Sequence, residues 1–304
     1  MIRKLAALLI TQIVLGWPVP EALAQDEGTL ARVQSLGLES LPGPVPTYYS
    51  PEMRPRAEAL QRRVRDAVSF FESRHKLSSP LTLAVLNEAH SAAVSQQPYA
   101  MLASVAPRVV VVPAFPDRGP VAQVLRKAHG AASSPEVRQA WSRLGVSHEA
   151  AVRQVLDAMV IHEVGHTYVN GALGFRDVAR WFNEFMATYI AYTFLRSRDT
   201  AAISAWNAVS LDVVHGITPS TRRLDEFNRL YTGLGETYGW FQSHFNLGVT
   251  AVLEQRQNAD WFAELRGAGL VTGTRSLTTL ELLDRLDRIT PGLKQWAEKL
   301  EAGP

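Results

Sequence analysis

The sequence predicts an α+β protein: a small N-terminal β-sheet packed with helices over about residues 51–120, then a mostly helical half over about 121–304. Three observations lead there. Leu81–Leu86 and Arg108–Val112, the latter closed by Pro113, are short apolar runs bounded by proline, which read as strands, and Met101–Val105 is a candidate for another. Residues 52–74 carry Ala57, Leu60, Val64, Ala67, Val68 and Phe71 at helical spacing, so an amphipathic helix is expected to pack on that sheet. From about residue 121 the apolar period is helical, with breaks near Gly130, Gly145, Gly171, Gly216, Gly233 and Gly273. Leu277–Leu300 completes the chain as a helix or helix pair that only packs.

Ahead of the sheet, Arg3 and Lys4 precede an apolar run from Leu5 to Trp17 and a small-residue site at Ala22-Leu23-Ala24. This is the layout of a secretory signal peptide over residues 1–24, with cleavage expected before Gln25. The run is shorter than the roughly 20 residues that span a bilayer, and Pro18 and Pro20 interrupt it, which disfavours an uncleaved anchor. Residues 25–50, with the segment Leu41–Pro46 (LPGPVP), read as an extended linker onto a single domain over 51–304. The expectation is a periplasmic or secreted protein with no stable membrane span after removal of the leader.

The chain contains no cysteine, which excludes disulfides, a lipid-attachment cysteine, a thiolate nucleophile and cysteine-ligated zinc. Its formal charge of +2 is spread along the chain, so the basic stripe that tracks nucleic-acid phosphates is missing and no nucleic-acid partner is expected. Any metal chemistry must rest on histidines and carboxylates.

His162-Glu163-Val164-Gly165-His166 supplies them. Ser147 is a plausible N-cap with Glu149 in the first turn, Val152, Leu156 and Met159 form an apolar stripe, and Asn170-Gly171 is a stop, so the motif is predicted to lie inside a helix. Histidines four residues apart project from one face about 5.4 Å apart, and both can reach one Zn²⁺. Glu163 lies about 100° around the helix, beside the metal, where it can take a proton from water as general base. A third ligand is needed, and the next carboxylates are Asp177 and Glu184. Glu184 falls on a second predicted helix, about Val178 to Leu195, which an antiparallel turn at 170–177 can bring against the first. Ala187 is small enough for close approach; Asp177 is a minor rival.

HEVGH followed at this interval by Trp181-Phe182-Asn183-Glu184-Phe185-Met186-Ala187 resembles the gluzincin metallopeptidases, the group that includes thermolysin and the aminopeptidase N type. The resemblance covers about residues 150–195. It implies a zincin-like fold in which His162, His166 and Glu184 bind zinc and Glu163 is the base. It also implies an edge strand that pairs with substrate backbone, for which Val109–Val112 is a candidate, a core strand being the alternative. A tyrosine or histidine beyond the third ligand then stabilises the oxyanion of the transition state. Tyr238 is preferred, with Tyr231 and His244 as alternatives. The Gly-x-Met-Glu-Asn segment that grips a free amino terminus has no counterpart, Pro98–Leu102 lacking its glutamate, so aminopeptidase activity is not expected. His75, His90, His129, His148 and His215 have no partners at ligand spacing and read as surface residues, while Trp240 and Phe241 read as core.

The function expected is zinc-dependent hydrolysis of peptide bonds in a peptide or protein substrate. The rivals are a non-proteolytic zinc-binding module of the same fold and an amidase acting on a cell-envelope substrate.

Overall fold

A computed structural model describes residues 22–95, 99, 103–105, 108–173, 179–230, 235–256, 261–270 and 277–303. In chain order the elements are α1 (Ala22–Ser35), β1 (Glu39–Leu41), β2 (Thr47–Tyr49), α2 (Arg54–His75), β3 (Thr82–Leu86), α3 (Glu88–Val94), β4 (Ala103–Val105) and β5 (Val109–Pro113). The helical half follows: α4 (Pro120–Ala131), α5 (Pro135–Leu144), α6 (His148–Thr167), α7 (Arg180–Arg198), α8 (Thr200–Gly216), α9 (Phe227–Leu230), α10 (Glu236–Gln255), α11 (Trp261–Gly267), α12 (Thr279–Ile289) and α13 (Leu293–Ala302). The α+β class and the sheet-then-helices order stand as predicted.

The sheet runs β1-β2-β3-β5-β4. β2, β3 and β5 are parallel, and β1 and β4 close the two edges antiparallel. Along β3 and β5 the side chains alternate between two cores. Leu83, Val85, Val110 and Val112 join the main core with the helical half, while Ala84, Leu86, Val109 and Val111 face a smaller one completed by Val33 and Val94. Because both faces are covered, LTLAVL and RVVVV are apolar throughout rather than alternating. β5 lies between β3 and β4, so Val109–Val112 is an interior strand and not the substrate-pairing edge.

The linker expected over residues 25–50 is corrected as well. α1 supplies Val33 to the sheet's second face, and β1 and β2 extend the sheet itself. The proline-rich segment is the connection between β1 and β2, turned at Gly43, whose φ of 136° disfavours any side chain. Gln61 of α2 donates to its Val45 carbonyl at 2.9 Å. A sheet with two apolar faces needs cover on both, and the polar composition of this stretch conceals that duty. The expected leader lies outside the described residues up to position 21. Among the described residues no helix is long and apolar enough to cross a membrane.

α6 passes through the middle of the molecule, packed against α2, α4, α7, α8 and β5. Ser147 caps it, its side chain accepting from Ala150 N at 3.3 Å. After Thr167 the chain widens into a π-helical turn, Tyr168–Ala172, that contains the predicted Asn170-Gly171 stop. Val33→Asp is predicted to cost about 3 kcal/mol or more, because it places an unpaired charge at a fully buried position; a linker residue would change stability by about 0.5 kcal/mol at most. Urea unfolding of the two proteins measures the difference.

Candidate metal centre

His162 and His166 stand one turn apart on α6, and Glu184 and Thr188 one turn apart on the facing side of α7. The helices meet at Gly165 and Ala187, where a β-carbon on Gly165 would lie 2.7 Å from the Ala187 carbonyl oxygen. The glycine inside the HEVGH motif is thus what lets α7 come close enough for the short Glu184 side chain to reach the imidazoles. Rings of His162 and His166 are perpendicular, with centroids 4.7 Å apart.

His162 Nε2 and His166 Nε2 are 3.1 Å apart, and Glu184 Oε2 is 3.2 Å from the first and 3.3 Å from the second. All three side chains are buried. The surrounding hydrogen bonds settle which nitrogens carry protons. Thr188 Oγ1 donates to the Glu184 carbonyl at 2.9 Å, so toward His162 Nδ1, 3.1 Å away, it is the acceptor. Asn183 Nδ2 donates to Asn170 Oδ1 at 2.7 Å, which turns Asn183 Oδ1 toward His166 Nδ1 at 2.8 Å. Both imidazoles therefore donate from Nδ1, and both Nε2 lone pairs converge with a carboxylate oxygen on one point. Three acceptors in mutual contact repel unless a cation or a proton lies among them, and their spacing suits bonds of about 2.0–2.2 Å to zinc. By donor set and by orientation the residues fit the metal.

Without metal a proton fills that role. Burial works against a charged His166, but the charge and hydrogen bond of Glu184 outweigh it and raise His166 to about 9. Burial alone would raise the Glu184 carboxyl, whereas the two imidazoles hold it well below the usual carboxylate range.

Glu163, also buried, lies on α6 beside the three donors and adds its negative field at His166. Tyr238 comes to the same place from α10. Gln242, one turn further along α10, donates through Nε2 to Glu184 Oε2 at 2.6 Å and to the Tyr238 hydroxyl at 2.7 Å, and Phe227 stacks on the tyrosine ring at 5.4 Å. His244, the alternative to Tyr238, is on another face of the helix against Trp240, where burial first, then Arg222 and His215, lower it to about 4. Tyr231 and Asp177 lie outside the described residues. Trp240 and Phe241 are buried, as expected of core residues.

Asn183, Thr188, Asn170 and Gln242 were missed in the sequence. Two of them had a signal at helical spacing: Thr188 is four residues after Glu184, and Gln242 four after Tyr238. Asn183→Ala releases His166 Nδ1 from its acceptor. Zinc affinity is predicted to fall by about 10–100-fold, as measured by competition with a chromogenic chelator, with the circular dichroism spectrum unchanged.

Comparison with known protein families, with curated proteins and with solved structures finds no match to this chain.

Proposed function

We propose that this chain is an exported zinc metallopeptidase, a minimal gluzincin-like hydrolase of peptide bonds with a zincin-like arrangement of sheet and helices. The observation that carries the reading is the convergence of His162 Nε2, His166 Nε2 and Glu184 Oε2 with the second carboxylate, Glu163, beside them. A site that only stores or anchors a metal needs ligands and no base.

Zinc held by these three side chains would supply Lewis-acid polarisation of the scissile carbonyl and acidify a water molecule at neutral pH. The remaining steps belong to the chain. The Glu163 carboxylate takes the proton of the attacking water and returns it to the leaving amine, a role that its burial beside the histidines favours by keeping competing water away. Gln242 orients both Glu184 and the Tyr238 hydroxyl, so ligand and oxyanion donor are set by one amide. A cavity of about 100 Å³ opens against His162 and Tyr238, walled by Val121, Val124, Leu125 and Met159. Its apolar walls suit a substrate with an apolar side chain next to the cleaved bond.

Elemental analysis of the purified protein is expected to find zinc, one equivalent of which is lost in Glu184→Ala and retained in Glu163→Gln. Turnover of a peptide library by Glu163→Gln is expected to fall by about 10²–10⁴-fold or more; cleavage at the wild-type rate would remove the glutamate from the mechanism. A cell-wall crosslink assayed alongside separates peptidase from amidase. Tyr238→Phe is expected to lower kcat by about 10²–10³-fold with KM nearly constant, since its hydroxyl acts in the transition state.

A further inference from the structure

The cavity beside the metal centre extends away from it along α6. Val155, Met159 and His162 lie on one face of that helix and all border the cavity, so it runs about 10 Å from His162 toward the start of α6. Trp206 and Val209 of α8 border it as well, as do Val124 of α4 and Gly239 of α10. At about 100 Å³ the space is smaller than the roughly 150 Å³ that encloses a benzene ring, so it matches a branched aliphatic side chain better than an aromatic one.

Gly239 is the residue that leaves this room. It is the fourth residue of α10, and its φ lies outside the left-handed region, so the backbone there accepts any side chain. Glycine inside a helix is less stable than alanine, and three other helical glycines have a neighbour that forbids a β-carbon. Gly165 meets the Ala187 backbone, Gly216 the Ala128 backbone, and Gly248 the Trp296 ring at 2.8 Å. At Gly239 a β-carbon would stand at ordinary contact distance, 3.6 Å from Val124 Cγ1, which lines the same cavity. Packing therefore does not require glycine at 239. What a larger residue there would remove is the room next to the metal centre.

We propose that Gly239, with Val124 facing it, sets the size of the substrate side chain that enters this cavity, and that the preferred substrate is a peptide with a leucine-sized aliphatic residue flanking the cleaved bond. The inference rests on the peptidase reading of the metal centre. Burial of that side chain against the valines and Met159 supplies binding energy, and the walls hold it in proportion to how well it fills them. One methylene more or fewer in an apolar pocket changes kcat/KM by about 10–200-fold, so one side chain added at 239 is enough to change which substrate is preferred.

The test starts from the peptide that the library screen selects and varies the residue on each side of the cleaved bond among alanine, leucine and phenylalanine. Wild type is expected to favour leucine over both others by about 10-fold or more in kcat/KM. Gly239→Val is expected to lower the leucine-to-alanine ratio by about 10-fold or more, with the zinc equivalent that depends on Glu184 retained in elemental analysis. A merely structural defect would lower both rates and leave their ratio alone. Val124→Ala widens the cavity from the other side and is expected to raise the phenylalanine-to-leucine ratio by about 10-fold, a gain that misfolding does not produce. Wild-type ratios in either variant, or a wild type that favours phenylalanine, overturn the assignment. Failure of the wild type to cleave any peptide instead overturns the peptidase reading on which the assignment rests, so the two failures are distinguishable.

Discussion

The distance between α6 and α7 is the constraint from which the centre of this molecule follows. At Gly165 the two backbones come so close that a β-carbon would overlap the Ala187 carbonyl. A wider separation would leave His162, His166 and Glu184 as three buried polar groups without one another, each costing several kcal/mol. At the separation observed, α7 supplies the third donor from Glu184 and outer hydrogen-bond partners for both imidazoles from Asn183 and Thr188. One helix–helix contact thereby sets which donors meet, the ring tautomer and the burial together.

The sheet and the remaining helices hold that pair in place. β5, α2 and α8 pack against α6, and α10 brings Gln242 and Tyr238 to Glu184. The π-helical turn after α6 has a local purpose in this arrangement. It places Asn170 where its side-chain oxygen accepts from Asn183, and Asn183 in turn holds His166. A hydrogen-bonded chain of this kind is worth most when complete, since a buried member left unpaired costs more than the bond contributes.

α6 also carries His148 at its start, beside His129 and Asp212, so two polar clusters share one rigid rod. The first is enclosed, with all its donors buried; the second is open on the His129 side.

Much of this could be read from the chain by itself. The helical period around HEVGH, the second helix with Glu184 and the strands at 82–86 and 109–113 are local patterns, and local patterns follow from spacing along one element. So does the small residue at 187, since a close helix contact requires one. The tertiary structure alone decided whatever depends on neighbours distant in sequence. α1 covers the second face of the sheet, and the proline-rich segment connects two strands, because β3 and β5 are apolar on both faces and exposure of either would be costly. His129, His148 and Asp212 come from three helices, so no spacing in the sequence links them. Burial and convergence are properties of the packed core, where a polar group finds its partner across elements.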